Sequence, residues 1–319
     1  MVNTLRLVIG AVVNLEMWTM LLLNMFVLAC IIKSRLYAKK DNPVYLLAGF
    51  NILSEICQLV VHVSYVGPTI ISGSWFFAGQ ESLGVTVVAT IFLGIWYLGS
   101  LIQILFATNR FSVICFPTRT FFTRERVIVL IAISCLAASG MVTYSQILSP
   151  CCRITPDPRF FGYSYLVFPN RTDNPSMNHV DLPLDIGTSV YCLTSYISLF
   201  VYIIKKGARR DRTGKRELRC CIQFLLMFLT YTVTWLTFFL YPAIGIQAPE
   251  AYVATTLVFM LNCGINSIIY LALNKEVRCA ANRLVGRKIF NEISSMQEKT
   301  IASSRAQKRS TVELPTLQK

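Results

Sequence analysis

The stretch SLGVTVVATIFLGIWYLGSLIQILFATNRFSVICFP, residues 82–117, decides how the chain is read. Twenty-eight uncharged residues run from Ser82 to Asn109 before the first charge, Arg110. A helix needs about 20 apolar residues to cross a hydrocarbon layer of about 30 Å, so this run is long enough to span a membrane. An arginine at the middle of a lone lipid-facing helix costs roughly 2.5–3.5 kcal/mol or more, which places Arg110 at the cytoplasmic end of the span.

Six further stretches share this character. With the first they fall near residues 10–32, 43–66, 83–108, 127–149, 184–204, 218–242 and 251–273. A chain of 319 residues that is 54% hydrophobic and interrupted in this way is mostly in lipid rather than one large soluble core. The internal charges singled out in the spans are Glu16 and Glu55, and ionisable groups inside a span tend to be functional. No cleavable leader is recognised, because the first apolar run is long and is followed by Lys33, Arg35, Lys39 and Lys40; that span is the expected insertion signal.

The net charge of +14 in a soluble protein would suggest nucleic acid, so its placement matters. The connections after spans 1, 3 and 5 and the segment from Asn274 onward hold 26 of the 30 Lys and Arg; the other side holds Arg6, Arg153, Arg159 and Arg171. Basic residues mark cytoplasmic loops, which gives an outside N-terminus and an inside C-terminus, and assigns the charge to the membrane rim with no nucleic-acid partner. The sequon Asn170-Arg171-Thr172 lies in the loop this rule places outside, so Asn170 is the glycosylation candidate.

Eight of the eleven cysteines lie in spans or at their inner ends and are expected to pack as small apolar residues. Cys151 and Cys152 are external, where disulfides persist, with each other or another molecule as partners. Cys279 follows the last span and is a palmitoylation candidate. The long segment between spans 4 and 5, rich in Pro, Asn and Asp, is expected to form a lid or a glycan-bearing cap. The basic run Lys205–Arg219 is expected to extend the ends of spans 5 and 6. NKEVRCAANRLVGRKIF, residues 274–290, suits a helix on the inner membrane face. The chain thus divides into a seven-transmembrane domain over 1–285 and a cytoplasmic tail over 286–319 that reads as disordered. Ser294, Ser295, Ser303, Ser304, Ser310 and Thr311 are phosphorylation candidates there.

Four local patterns, in order on seven spans, carry a resemblance. Asn109-Arg110-Phe111 resembles the arginine motif that ends the third helix of rhodopsin-like receptors, and its asparagine-first form is most similar to nematode serpentine chemoreceptors, class X in particular. NSIIYLALNKEVR, residues 266–278, resembles the receptor pattern Asn-Pro-x-x-Tyr followed by Asn-Lys-x-Phe-Arg, with Asn266, Tyr270, Asn274, Lys275 and Arg278 in register. Asn24 resembles the first-helix asparagine, and Leu47-Ala48-x-x-Asn51 the second-helix Leu-Ala-x-x-Asp with Asn for Asp. Together these cover roughly residues 20–285. The departures are the missing proline in NSIIY, no cysteine near the outer end of span 3, and no acid before Arg110.

The resemblance implies an all-α seven-helix bundle with a short surface helix after span 7. It further implies an external small-molecule ligand between the outer helix halves, a heterotrimeric G protein at the cytoplasmic face, and a plasma-membrane site that includes sensory neuron cilia, with no cofactor and no metal. Asn109, Arg110, Phe111 and Tyr270 then belong to coupling, with Glu217 a candidate partner of Arg110. Asn24, Asn51, Asn262 and Asn266 are expected to meet in the interior, because buried polar side chains in lipid need partners. Phe92 and Trp96, one helical turn apart, with Tyr97, Phe238, Phe239 and Tyr241, are expected to line an aromatic pocket. Phe92 stands where amine receptors carry an aspartate, which argues against a biogenic amine. His62 is expected to be buried or a pocket contact, and His179 a loop residue.

Other classes fit less well. An opsin needs a lysine inside span 7. An enzyme needs a catalytic constellation, and the two histidines form no metal-site pattern. The alternatives are a ligand-gated odorant channel, which expects the N-terminus inside, and a small transporter, which expects internal repeats.

Overall fold

The structure is a computed structural model and describes residues 4–39, 43–116, 121–149, 151–166, 173–205, 212–246 and 248–285, less the side chains of 212–217, 219, 220 and 285. Seven helices are long and apolar enough to span: α1 (Thr4–Lys33), α2 (Val44–Ser72), α3 (Leu83–Cys115), α4 (Arg124–Leu148), α5 (Met177–Lys205), α6 (Arg212–Ala243) and α7 (Pro249–Leu273). A short α8 (Lys275–Val285) follows. Large apolar side chains such as Leu15, Leu22 and Leu136 face outward, the arrangement lipid demands.

Most helices run past the uncharged stretches that announced them. α3 continues through Arg110 to Cys115, α2 reaches Ser72, α5 starts at Met177 and α6 at Arg212. Charge marks where hydrocarbon stops, whereas a helix stops where its backbone partners run out. Ser82 Oγ accepts from the Val85 N–H and Thr123 Oγ1 from the Arg126 N–H, capping α3 and α4. Asn274 caps α8, its Oδ1 accepting from the N–H groups of Glu276 and Val277 at 3.0 and 3.2 Å. α8 packs on α1, with Ala280 and Ala281 against Cys30.

Three helices widen to a π turn just before a proline. In α2 the turn His62–Val66 precedes Pro68, in α4 the turn Tyr144–Leu148 precedes Pro150, and in α5 the turn Met177–Asp181 precedes Pro183. Proline supplies no N–H and crowds the carbonyl four residues back, and a wider turn relieves both effects. His179 therefore sits in the first turn of α5 rather than in a loop.

α3 runs through the bundle against α2, α4 and α5, while α7 packs on α1, α2 and α6. Where α1 meets α7, a Cβ on Gly264 would stand 2.1 Å from Met20 Sδ, so a larger residue there requires the Met20 side chain to move. The core separates into an inner cluster around Phe106, Phe224 and Tyr270 and an outer one around Met17, Phe92 and Phe259.

The segment between α4 and α5 departs from an all-helical account. It forms an antiparallel hairpin, β1 (Ile154–Asp157) paired with β2 (Gly162–Tyr165), Ile154 opposite Tyr165. Phe161 holds the corner at φ 56°. Strands of four residues in a Pro- and Asp-rich segment give almost no periodic signal. Cys151 and Cys152 are bonded to each other, which resolves their open pairing. The hairpin is tied to the bundle on several sides: Arg6 Nη1 donates to Pro158 O (3.0 Å), Trp75 Nε1 to Pro156 O (2.8 Å), Gln80 Nε2 to Thr155 Oγ1 (2.8 Å) and Thr256 Oγ1 to Phe161 O (2.8 Å).

Candidate functional site

Beneath the hairpin lies a cavity of about 730 Å³, its mouth included, between the outer halves of the helices. Its walls include Phe92 and Trp96 from α3 and Phe238 and Phe239 from α6, four of the six aromatics anticipated for a pocket. Tyr97 is fully buried behind the wall, its hydroxyl on Ser145 Oγ at 2.9 Å, and Tyr241 packs edge-on against Tyr252 outside the wall proper. The hairpin itself enters the cavity: the Tyr163 ring stacks on Phe92 with centroids 3.6 Å apart. His62 is fully buried in the same wall, 5.5 Å from the Tyr163 ring, and its Nδ1 lies 2.7 Å from Gln58 O.

Two wall residues were missed from the sequence, Asp181 and Asp185. Asp185 lies inside the fifth uncharged stretch as drawn and belonged with Glu16 and Glu55 in the tally of internal charge; Asp181 joins it because α5 begins seven residues earlier than the stretch. Tyr97 and Tyr165 donate to the Asp181 carboxylate, the second at 2.5 Å. Tyr231 (2.6 Å) and Trp96 Nε1 (3.2 Å) both donate to Oδ1 of Asp185. Burial first, then the neighbouring Asp181 carboxylate, holds the Tyr165 phenol well above its usual range, so it remains a donor.

A second cavity of about 480 Å³ lies next to the first and shares Trp96 and Phe259 with it. Its walls hold Asn51, Glu55 and Asn262. The four asparagines do not meet as a single group. Asn51 Nδ2 donates to Glu55 Oε1 (2.7 Å) and Asn266 Nδ2 to the same oxygen, so Glu55 is the hub. Asn24 Nδ2 instead donates to the Cys263 carbonyl (2.8 Å), and Asn262 Oδ1 accepts from Thr230 (3.3 Å). One turn of α2 separates Asn51 from Glu55, which is why one carboxylate can serve helices α2 and α7 together.

At the cytoplasmic end, Asn109 is buried and Arg110 turns inward, its guanidinium 4.6 Å from the centroid of the Phe224 ring on α6. Arg110 Nε is buried with no hydrogen-bond partner among the described residues. Phe111 is half-buried, and Tyr270 packs in the same inner cluster as Phe224 and Tyr196. The side chain of Glu217 and the whole of Asn170 lie outside the described residues. Cys279 is partly exposed on α8. Among the described residues no group of three or more His, Cys, Asp or Glu could hold a metal ion.

The architecture is that of a rhodopsin-like seven-helix protein: squid rhodopsin, a solved structure, superposes with a TM-score of 0.73 at 12% identity, covering 88% of this chain and 80% of that one. Comparison with curated protein sequences gave no match. The model of the family described as serpentine type 7TM GPCR chemoreceptor Srx matches residues 21–274, and the chain belongs to that family. It is a multi-pass membrane protein, a chemosensory receptor of the G-protein-coupled kind.

Proposed function

We propose that an external small molecule occupies the cavity under the hairpin and biases the bundle toward a form whose cytoplasmic face is open, where a heterotrimeric G protein binds. The observation that carries this is Trp96. It forms part of the wall of both cavities, donates to Asp185, and stacks on Tyr231 of α6 with centroids 5.2 Å apart. A ligand that displaces Trp96 acts on α6 through Tyr231, and α6 is the helix whose Phe224 covers Arg110. Arg110, with Asn109, Phe111, Tyr270 and Glu217, then forms the coupling surface exposed when α6 moves.

In this scheme the receptor works in the plasma membrane, in sensory cilia among other places. Asn170 carries a glycan outside, Cys279 a lipid inside, and residues 286–319 are a regulatory tail separate from the domain 1–285.

Recording calcium and current in cells that carry a promiscuous G protein tests the scheme, with Arg110→Ala compared at matched surface expression. A ligand-evoked calcium signal lost in the variant while ligand binding persists is the expected result. A current that needs no G protein and survives the substitution would make the protein a channel.

A further inference from the structure

Among the described residues the outer cavity is lined by two carboxylates and by no Lys or Arg to match them. Asp181 and Asp185 are 4% and 2% exposed and lie one helical turn apart on α5. Among the described residues the ion pairs are Lys39–Glu276 and Arg159–Asp157, neither of which involves the cavity acids. All four groups that bond them, Tyr97, Tyr165, Tyr231 and Trp96, are neutral donors. An ionised carboxylate is acceptor-only, which suits Asp181, with a donor on each oxygen, and Asp185, with two donors on Oδ1. Such donors stabilise a buried charge without cancelling it, and removal from water leaves it seeking a counter-charge.

A separate observation across the cavity points the same way. The Gln58 carbonyl facing His62 Nδ1 can only accept, so Nδ1 bears the hydrogen and Nε2 is an acceptor. His62 is 0% exposed and Nε2 has no partner among the described residues. The cavity therefore presents acceptors on both sides, its indole donors are already engaged, Trp96 on Asp185 and Trp235 Nε1 on Ser189 Oγ at 2.9 Å, and the lining hydroxyls without a partner among the described residues, Tyr163 OH and Thr255 Oγ1, are neutral groups that donate or accept. Between the acceptors the walls are aromatic faces, Phe92, Tyr163, Phe238 and Phe259 among them, which attract cations and reject anions.

We propose that the ligand of this cavity is a small organic cation, an ammonium group on an apolar or aromatic body, whose charge is held by Asp185 and Asp181 and whose far end gives a hydrogen bond to His62. The proposal rests on the outer cavity being the ligand site. The absence of an acid at Phe92 excludes a counter-ion from α3, and the two acids of α5 supply it from the other side of the pocket.

Purified full-length receptor is heated with millimolar 4-hydroxyphenethylammonium or its N-trimethyl derivative, whose phenol can donate to His62, and with the isosteric 2-(4-hydroxyphenyl)ethanol and 4-hydroxyphenylacetate. The cations should raise the unfolding midpoint and the neutral and anionic isosteres should not. Asp185→Asn is the informative variant, because both hydrogen bonds to Asp185 fall on Oδ1, which an amide oxygen can replace. It should weaken cation binding by about 10- to 100-fold, the span expected for a lost charge-assisted contact. Equal stabilisation by the neutral or anionic isosteres, or cation binding unaltered in Asp185→Asn, overturns the proposal. If no probe shifts the midpoint, the unliganded variant decides: a midpoint above wild type marks Asp185 as a charge held for a ligand, and one equal to or below it marks a structural acid and sinks the idea. Cation binding that evokes no G-protein signal would instead count against the receptor scheme while leaving the ligand class intact.

Discussion

The guanidinium of Arg110 lies over the ring of Phe224, 4.6 Å from its centroid, and joins α3 to α6 at the cytoplasmic end. With asparagine at 109 there is no adjacent acid, so a ring face holds the arginine that a carboxylate would otherwise restrain. Arg110 is half-buried, so the contact contributes about 0.5–2 kcal/mol, which in the proposed scheme corresponds to roughly a 2- to 30-fold bias toward the closed form.

Phe224→Leu keeps most of the buried volume and removes the ring face. Ligand-independent signalling by this variant should rise several-fold over wild type at matched surface expression, and Phe224→Trp should stay at or below wild type. Equal basal signals from all three receptors would mean that the stack does not hold the closed form.

Glu55 accepts from Asn51 and Asn266 and so links α2 to α7. Glu55→Ala leaves two buried amides without their acceptor, a loss of about 1–3 kcal/mol for each. Thermal unfolding in detergent should show a midpoint clearly lower than that of Glu55→Gln, which keeps an acceptor oxygen. Coincident midpoints for the two variants would remove Glu55 from its role as hub.

A Cβ on Gly162 would meet Thr256 Oγ1 at 2.6 Å, the atom that donates to the Phe161 carbonyl. Gly162→Ala should therefore break that bond and lift the hairpin. Hydrogen exchange over 154–165 should quicken while the amides of α3 and α7 keep their protection. Unchanged exchange in the hairpin would show that the Thr256 contact is not what seats it.

Gly264→Val should separate α1 from α7 by driving against Met20, lowering stability by about 1–3 kcal/mol, the usual penalty for overpacking. Met20→Ala in the same chain should recover a good part of that loss, since it removes the atoms in the way. A double variant no more stable than Gly264→Val alone would locate the strain elsewhere.

The spans were legible because lipid imposes a composition that a sequence displays directly. Arg110, Asn266 and Tyr270 were legible as local patterns of a few residues. The contact of Arg110 with Phe224 was not, because Phe224 lies more than a hundred residues away and its approach depends on how α3 and α6 are rotated, which no local pattern encodes. Asp181 fell outside the span because the boundary was drawn by charge, whereas the helix follows its backbone hydrogen bonds through a wide turn ahead of Pro183. Asp185 carries its signal openly, as an acid inside an apolar stretch. Glu55 reads from the sequence as an internal acid beside Glu16 and the asparagines as a separate set, and only the packing of α2 against α7 reveals that Glu55, Asn51 and Asn266 are one network.

The hairpin over the cavity has a fastening of a particular kind. Cys151 is bonded to its neighbour Cys152, so neither sulfur is free to tie the segment to α3. The hairpin is held down by non-covalent contacts, among them those from Arg6, Trp75, Gln80 and Thr256 and that of Tyr165 on Asp181, each of which can break and re-form at ordinary temperature. The cover behaves as a latch rather than a weld. In the proposed scheme stimulus molecules are admitted and released through it, and the time a receptor stays occupied will follow the strength of these rim contacts as much as the grip of the cavity below.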